Sequence, residues 1–268
     1  MMEINIIGGA GLVGHGIFSE LSKQHSVRIF GSSEFEKSEL KFKSREVFDC
    51  DVFIHAAGIT DELLSLDFDF AVFKSNGFVK YIVDELKKTR CAHLVYISTI
   101  HAFGDLSKVL SGSSYSYPSN VYGLLHLTAE KMFEILLKKT EINFLCLRVP
   151  TVYGFPKDKL RITRPEIIQY AFPYSAKHQN LIKLNSSGEQ YRLFASNYKI
   201  GNIVNQWLGD GEKPLVTIDV VQGENITVKN FANLCLKKYE ELFDNETSLF
   251  VANSTNKSDY LGKIIVHS

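Results

Sequence analysis

Ile4-Asn5-Ile6-Ile7-Gly8-Gly9-Ala10-Gly11-Leu12-Val13-Gly14 is the stretch whose reading decides the fold. A short apolar run breaks into glycines and resumes as an amphipathic segment with Leu12, Val13, Ile17 and Leu21 on one face. The order is strand, tight turn, helix. A turn this sharp needs backbone angles that a Cβ forbids, and a pyrophosphate touches backbone only where no side chain intervenes. The helix that follows offers free N–H groups and the positive end of its dipole to an anion. The spacing Gly8-x-x-Gly11-x-x-Gly14, after a buried strand and at the start of a helix, therefore predicts a dinucleotide site.

Working outward, Ser26 to Phe30 reads as a second strand, followed by Gly31-Ser32-Ser33 rather than the acidic residue that usually holds a ribose 2′-hydroxyl. Two hydroxyls, with Arg28 or Lys37 in reach, suit a 2′-phosphate, so the sequence favours NADP over NAD, with Glu34 or Glu36 as the alternative ribose contact. Residues 32–49 alternate charges around few apolar anchors and read as a solvated connection. Asp51 to His55 is then a buried strand closed by the small residues Ala56, Ala57 and Gly58, which let backbone pass close to a ligand. His55 itself reads as a packed, satisfied side chain.

A long helical pattern with Phe73, Val79, Ile82, Val83 and Leu86 follows, its apolar face interrupted by Asn76. Leu94 to Ile97 is another buried strand running into Ser98-Thr99-Ile100-His101, and hydroxyls at the carboxyl end of a strand line the ligand crevice of an open α/β sheet. Pro118-Ser119-Asn120 starts a helix carrying Tyr122, Leu125, Ala129, Met132, Phe133 and Leu136, and Phe144 to Val149 is a further strand. This alternation predicts an α/β fold, a doubly wound parallel sheet of Rossmann type over residues 1–154. Residues 155–268 are expected to form a smaller substrate lobe partly interleaved with that sheet. A helix from Pro165 that stops before Pro173, a helix over Tyr198–Leu208, a strand over Leu215–Val221 and a helix over Val228–Phe243 capped by Thr227 complete the reading.

Composition bounds the function. The chain of 268 residues is 45% hydrophobic and carries 30 basic and 30 acidic residues, so no global field favours nucleic acid or an anionic membrane, and an anion must be caught locally. Cys50, Cys91, Cys146 and Cys235 form no metal-ligand spacing and read as small core residues; no metal is expected. With no leader pattern and no apolar run approaching about 18 residues, a cytoplasmic protein is expected.

Taken together, Gly8-x-x-Gly11-x-x-Gly14, His55-Ala56-Ala57-Gly58, Asn76, Ser98-Thr99-x-x-x-Phe103-Gly104, Tyr122-Gly123 and Leu147-Arg148-x-Pro150-x-Val152-Tyr153-Gly154 resemble, in order and spacing, the extended short-chain dehydrogenases/reductases. Within them the chain is most similar to the NAD(P)-dependent nucleotide-sugar epimerase/dehydratase/reductase group, over roughly residues 4–200. The resemblance implies that Gly8, Gly11, Leu12, Val13, Gly14, Ser32, Ser33, Ala56, Ala57, Gly58, Asn76 and Pro150 lie along the cofactor. It implies that Thr99 hydrogen-bonds the reacting oxygen and that Tyr122 moves the proton. It also implies a homodimer through the stretches 70–88 and 120–138.

The departure is at position 126, where the family's Tyr-x-x-x-Lys reads Tyr122-Gly123-Leu124-Leu125-His126. Residues four apart share a helix face, so both side chains point at one cofactor ribose. A lysine there is charged at neutral pH and favours a tyrosinate, whereas a histidine of ordinary pKa near 6.5 keeps a hydrogen bond to ribose and little of the charge. His126 is thus either a third catalytic group or a helix-surface histidine of a protein that kept the fold and lost catalysis. Thr99-Ile100-His101 lacks the Asp-Glu pair of the family's dehydratases, which argues for ketone/alcohol interconversion without elimination of water. His101 at the mouth of the site is a candidate substrate contact.

On the substrate side Lys157, Lys159, Arg161 and Arg164 cluster after Tyr153-Gly154, and four cations beside a crevice can hold a diphosphate. Gly188-x-x-x-Arg192 resembles the family segment whose arginine contacts the nucleotide diphosphate, although Asn197-Tyr198 stands where the family carries an aspartate. The expected activity is 4-keto reduction or 4-epimerisation of a nucleotide-diphospho-sugar. The alternatives are a silent NAD(P)-binding sensor and a reductase of a non-sugar carbonyl compound.

Overall fold

The computed structural model describes residues 1–36, 41–106, 109–158, 166–244, 246–251 and 264–266. Strand β1 (Glu3–Ile7), helix α1 (Leu12–Leu21) and strand β2 (Ser26–Phe30) form the expected opening unit. The charged connection holds a two-residue antiparallel ladder, β3 (Phe35–Glu36) with β4 (Lys41–Phe42), because Phe35 and Phe42 pack edge-on at 5.6 Å and cover the sheet's flank. Strand β5 (Val52–His55) follows.

The stretch that periodicity reads as one helix is broken. Helices α2 (Asp61–Leu66) and α3 (Phe68–Val72) precede a π-helical turn at Phe73–Gly77 and then α4 (Phe78–Leu86). Apolar spacing continues through that turn, so only the extra backbone residue of a π turn interrupts it. Strands β6 (His93–Thr99) and β7 (Val109–Leu110), helix α5 (Val121–Leu137), and strands β8 (Asn143–Val149) and β9 (Thr151–Tyr153) follow.

Among the described residues, the second half comprises α6 (Ile168–Gln179), β10 (Leu181–Leu184), β11 (Tyr191–Ser196), α7 (Asn197–Gly209), β12 (Val216–Val220), β13 (Glu224–Thr227), α8 (Val228–Phe243), β14 (Ser248–Val251) and β15 (Ile265–Val266). Thr227 caps α8 by accepting from the Asn230 amide at 3.1 Å, as its sequence predicts. Helix α6 corrects the sequence reading: Pro173 lies inside it, and Pro165 is outside the described residues. An interior proline costs about 3 kcal/mol of helix stability. Burial of Phe172 and Ala176 against Ala232 and Leu236 of α8 offsets that cost.

The described residues form a six-stranded, all-parallel central sheet in the order β12-β8-β6-β5-β1-β2. Side chains alternate between two buried faces, as a sheet covered on both sides requires. Ile4, Ile6, Val52, Ile54, Val95, Leu145 and Leu147 meet Ile17, Leu21, Ile200 and Val204 of α1 and α7. Phe53, Leu94, Tyr96, Phe144 and Cys146 meet α4 and α5 on the other face. At the amino end of β6, His93 packs edge-on against Trp207 with ring centroids 5.5 Å apart.

Outside this sheet, β9, β11 and β13 form a smaller one, and β15 lies parallel to β7. Cys50, Cys91 and Cys146 are buried and free, and Cys235 is half-buried. Among the described residues no helix is long and apolar enough to cross a membrane.

Candidate active site

A cleft of about 1210 Å³ opens at the carboxyl ends of β1, β5, β6 and β8 and is closed on its far side by residues 156–158, 166–170 and Arg192. One wall is the glycine turn. Gly8 has φ +79°, and a Cβ on it would lie 2.7 Å from the Ala57 nitrogen and 2.8 Å from the Ala56 carbonyl, so the ends of β1 and β5 touch only because that residue is glycine. A Cβ on Gly14 would collide with the Gly8 carbonyl, which fixes how closely α1 enters. Gly11, Leu12, Val13, Ala56, Gly58 and Pro150 line the cleft, while Gly8, Gly14 and Ala57 support it from behind. Gly11 stands at the N-cap of α1 with no side-chain cap, leaving first-turn N–H groups for an anion. Both the close backbone approach and the uncapped helix fit a pyrophosphate.

At the end of β2 the structure places Glu34, one of the two alternative ribose contacts, beside Gly31. Glu34 folds back so that Oε2 accepts from the Gly31 amide at 2.7 Å, and hydrogen bonds from the Ser33 side chain and then that amide hold its carboxyl below the usual range. Ser32 and Ser33 lie in the same short 3₁₀ turn. Arg28 donates instead to Asn5 Oδ1 at 3.1 Å and to the Asp49 carbonyl at 3.0 Å, away from this end of the strand, and Lys37 lies outside the described residues.

The opposite wall gathers Thr99, His101, Tyr122 and His126. Thr99 ends β6 and accepts from the His101 amide at 3.2 Å, which leaves its own hydroxyl proton to donate. Asn120 caps α5 by accepting from the Gly123 amide at 2.8 Å and so places Tyr122 in the first turn. His101 stands 6.0 Å from the Tyr122 ring, and Tyr122 and His126 are 4.7 Å apart at 62°. His126 is not a helix-surface histidine: it is 3% exposed. Its Nδ1 is 2.8 Å from the Tyr96 hydroxyl, while Nε2 is buried with no partner among the described residues. Burial, then the neighbouring His101, pushes its pKa down to about 4, so it is neutral at pH 7.

His55 is packed as expected but not satisfied, because its buried Nδ1 has no partner among the described residues. Burial, followed by Lys74 and His126, lowers its pKa to about 3. Asn76 sits in the π turn with Oδ1 3.4 Å from Ser75 Oγ and does not line the cleft.

Sequence reasoning missed the support beneath these groups. Glu130, two turns beyond Tyr122, is fully buried and pairs with Arg148 of β8, whose Nε and Nη2 reach Oε2 at 3.2 and 2.6 Å; Ser98 also bonds Glu130. The Arg148 guanidinium lies 4.3 Å from the Phe103 ring centroid. The signal was present, since Tyr122, His126 and Glu130 recur every four residues. Asn197, read only as a missing aspartate, is buried and donates to the Leu12 and Phe155 carbonyls at 2.9 and 3.2 Å, tying α7 to the glycine turn.

On the substrate side Arg192 lines the cleft, exposed and with no ion-pair partner among the described residues. The Lys157 amide donates to the Ala10 carbonyl at 3.1 Å, drawing that lysine to the glycine turn. Lys159, Arg161 and Arg164 lie outside the described residues. Asp158 and Glu166 also line the cleft, so its rim carries both signs of charge.

Comparison with known proteins follows this geometry. The model of the NAD dependent epimerase/dehydratase family matches residues 4–197. The sequence matches no curated protein. Among solved structures, a UDP-N-acetylglucosamine 4-epimerase from Methanobrevibacter ruminantium M1, in complex with UDP-N-acetylmuramic acid, is similar with a TM-score of 0.78 at 14% identity, over 98% of this chain and 89% of its own. A UDP-glucuronic acid 4-epimerase from Bacillus cereus, in complex with UDP-glucuronic acid and NAD, has a TM-score of 0.74 at 18% identity, over 95% of this chain and 87% of its own. A UDP-N-acetylglucosamine 4-epimerase from Bacillus cereus has a TM-score of 0.75 at 19% identity, over 98% of this chain and 88% of its own. At such identities the likeness is one of fold.

Proposed function

The chain belongs to the NAD-dependent epimerase/dehydratase family, and from that premise we propose that it interconverts a hydroxyl and a keto group on the sugar of a nucleotide-diphospho-sugar, by 4-epimerisation or 4-keto reduction. The observation that carries this is the meeting of Thr99, Tyr122 and His126 on one wall of a cleft whose other wall is the glycine turn. The bound dinucleotide would supply the hydride acceptor and donor. Oxidising an alcohol releases a hydride and a proton; Tyr122, as phenolate, takes the proton and returns it in reduction. Thr99 donates its O–H to the reacting oxygen and favours the alkoxide-like transition state. His126 Nε2 would donate to a ribose hydroxyl of the dinucleotide, and Arg192 would hold the substrate diphosphate. Ile100 and His101 stand in place of the two acids with which the family's dehydratases eliminate water, which argues against elimination.

For the cofactor the sequence alone favoured NADP. The Glu34 carboxylate at the end of β2 instead supports NAD, since it can accept from a 2′-hydroxyl and repels a 2′-phosphate.

Titration calorimetry with NAD and NADP, followed by incubation with a panel of UDP-sugars, tests the reading. NAD is expected to bind more tightly than NADP, and Tyr122→Phe to keep NAD while losing about 10²–10⁴-fold in turnover. NAD binding with no turnover of any sugar would favour the silent sensor, and no dinucleotide binding would sink both readings.

A further inference from the structure

Beneath the cleft His55 and Tyr96, two aromatic side chains that the proposed chemistry does not use, form a column with His126. His55, at the end of β5, meets Tyr96 of β6 edge-on at 5.3 Å, and Tyr96 meets the His126 ring at 5.9 Å. Tyr96 is 3% exposed, and the other ring packed on it is Phe133 at 5.2 Å, which offers no lone pair. A buried phenolic O–H needs an acceptor. Among the described residues the hydroxyl has one hydrogen-bond partner, Nδ1 of His126 at 2.8 Å.

If the phenol donates to Nδ1, that nitrogen carries no hydrogen, and the proton of the neutral imidazole must sit on Nε2. Nε2 is the ring nitrogen left without a partner on a residue that lines the cleft. The opposite arrangement, with Nδ1–H donating to the phenol, would orphan the phenolic proton and turn Nε2 into an acceptor. Among the described residues the ionisable groups around His126 are Tyr122 and, one turn on, Glu130 on its own helix, His101 on the 3₁₀ turn, and Tyr96 and His55 beneath it; the Glu130 carboxylate is taken by Arg148 and Ser98, so it does not hold a proton on Nδ1. The Ser75 hydroxyl, 3.3 Å from the Leu125 carbonyl, anchors the backbone just before His126 to the π turn.

We infer that Tyr96 is a positioning residue: its hydroxyl fixes His126 in the Nε2–H tautomer, so that the imidazole presents a directed hydrogen-bond donor to a ribose hydroxyl of the dinucleotide. This rests on the dinucleotide reading above. A lysine donates from any of three hydrogens and needs no such arrangement, whereas a neutral histidine donates from one ring nitrogen only, and a group donating to Nδ1 fixes Nε2 as that nitrogen. Tyr96 makes the exchange at position 126 chemically conservative in hydrogen-bond polarity while giving up the charge.

The test combines a spectroscopic and a binding readout. In protein labelled with ¹⁵N at histidine, His126 is expected to show a protonated, pyrrole-type Nε2 and a pyridine-type Nδ1, and Tyr96→Phe to convert it to a tautomer mixture. Glutamine places an amide nitrogen near the Nε2 position and asparagine near Nδ1. His126→Gln is therefore expected to bind NAD within a few-fold of the native protein, and His126→Asn about tenfold more weakly. Tyr96→Phe should weaken NAD by about tenfold in the native background and leave it unchanged in a His126→Lys background. Equal melting temperatures exclude a folding defect, and the tautomer of the native protein is readable even if Tyr96→Phe is unstable. A pyridine-type Nε2 in a protein that binds NAD overturns this inference alone. Absence of NAD binding by the native protein overturns it together with the dinucleotide reading.

Discussion

A lysine at position 126 would carry a fixed charge beside Tyr122, and a cation within about 4–6 Å lowers the pKa of a neighbouring acid by roughly 1–3 units. His126, buried and held neutral, supplies no such charge. The phenolate that would serve as base is then less favoured at neutral pH than it would be beside a lysine. The oxidative half-reaction is expected to rise with pH through neutrality, and His126→Lys to move that rise to lower pH, gaining about tenfold or more at pH 7. A kcat profile over pH for both proteins checks this, and superimposable limbs would refute it. At this scale the places of Thr99, at the carboxyl end of a strand, and Tyr122, at the start of a helix, were legible from local pattern, while the roles expected of them came from the family resemblance. The burial of His126 was not legible: it depends on Tyr96, thirty positions away, and on how β6 lies against α5.

Helix α5 presents a line of residues at intervals of four: Tyr122 and His126 at the cleft, then Glu130 in an ion pair with Arg148 of β8. Both charges lie out of water, with Arg148 2% and Glu130 0% exposed. Removing one partner of such a pair leaves an uncompensated buried charge. Arg148→Met is expected to lose about 3–5 kcal/mol in urea unfolding, and adding Glu130→Leu to recover most of it. A double variant no more stable than the single would contradict that account. Because Ser98 also bonds Glu130 and precedes Thr99, the single variant should disturb turnover more than the double one. Helix α8 was legible with its Thr227 cap, and α7 to within one residue at each end. Helix α6 was misread at Pro173, where packing on α8 outweighs local preference, and the π turn before α4 escaped because apolar spacing runs through it.

For the molecule as a whole, two buried histidines contribute to the loss of stability in acid. His55 and His126 have native pKa values depressed to about 3 and about 4, whereas the unfolded chain protonates them near 6.5. The unfolded state therefore binds more protons below pH 6.5. Their contribution is complete above that value and is lost as the pH falls towards 4, with a combined effect on the order of a few kcal/mol. Melting temperature should fall between pH 7 and pH 4, and less steeply in His55→Gln; an identical slope would argue against the assignment. The parallel sheet was legible from its alternating strands and helices, whereas the pairing of β15 with β7 was not, because two-residue strands carry no periodicity.

The chain has a single tryptophan, Trp207, held edge-on against His93 at the amino end of the strand whose carboxyl end is Thr99. Six residues of extended chain separate the indole from the cleft by about 20 Å. Ligands entering the cleft do not touch it, so its emission spectrum will keep its position when they bind. That separation is nonetheless short enough for resonance energy transfer to a reduced nicotinamide, which absorbs where tryptophan emits, and an oxidised one does not. The intrinsic fluorescence of the protein should thus fall when a reduced dinucleotide occupies the cleft and stay unchanged when an oxidised one does.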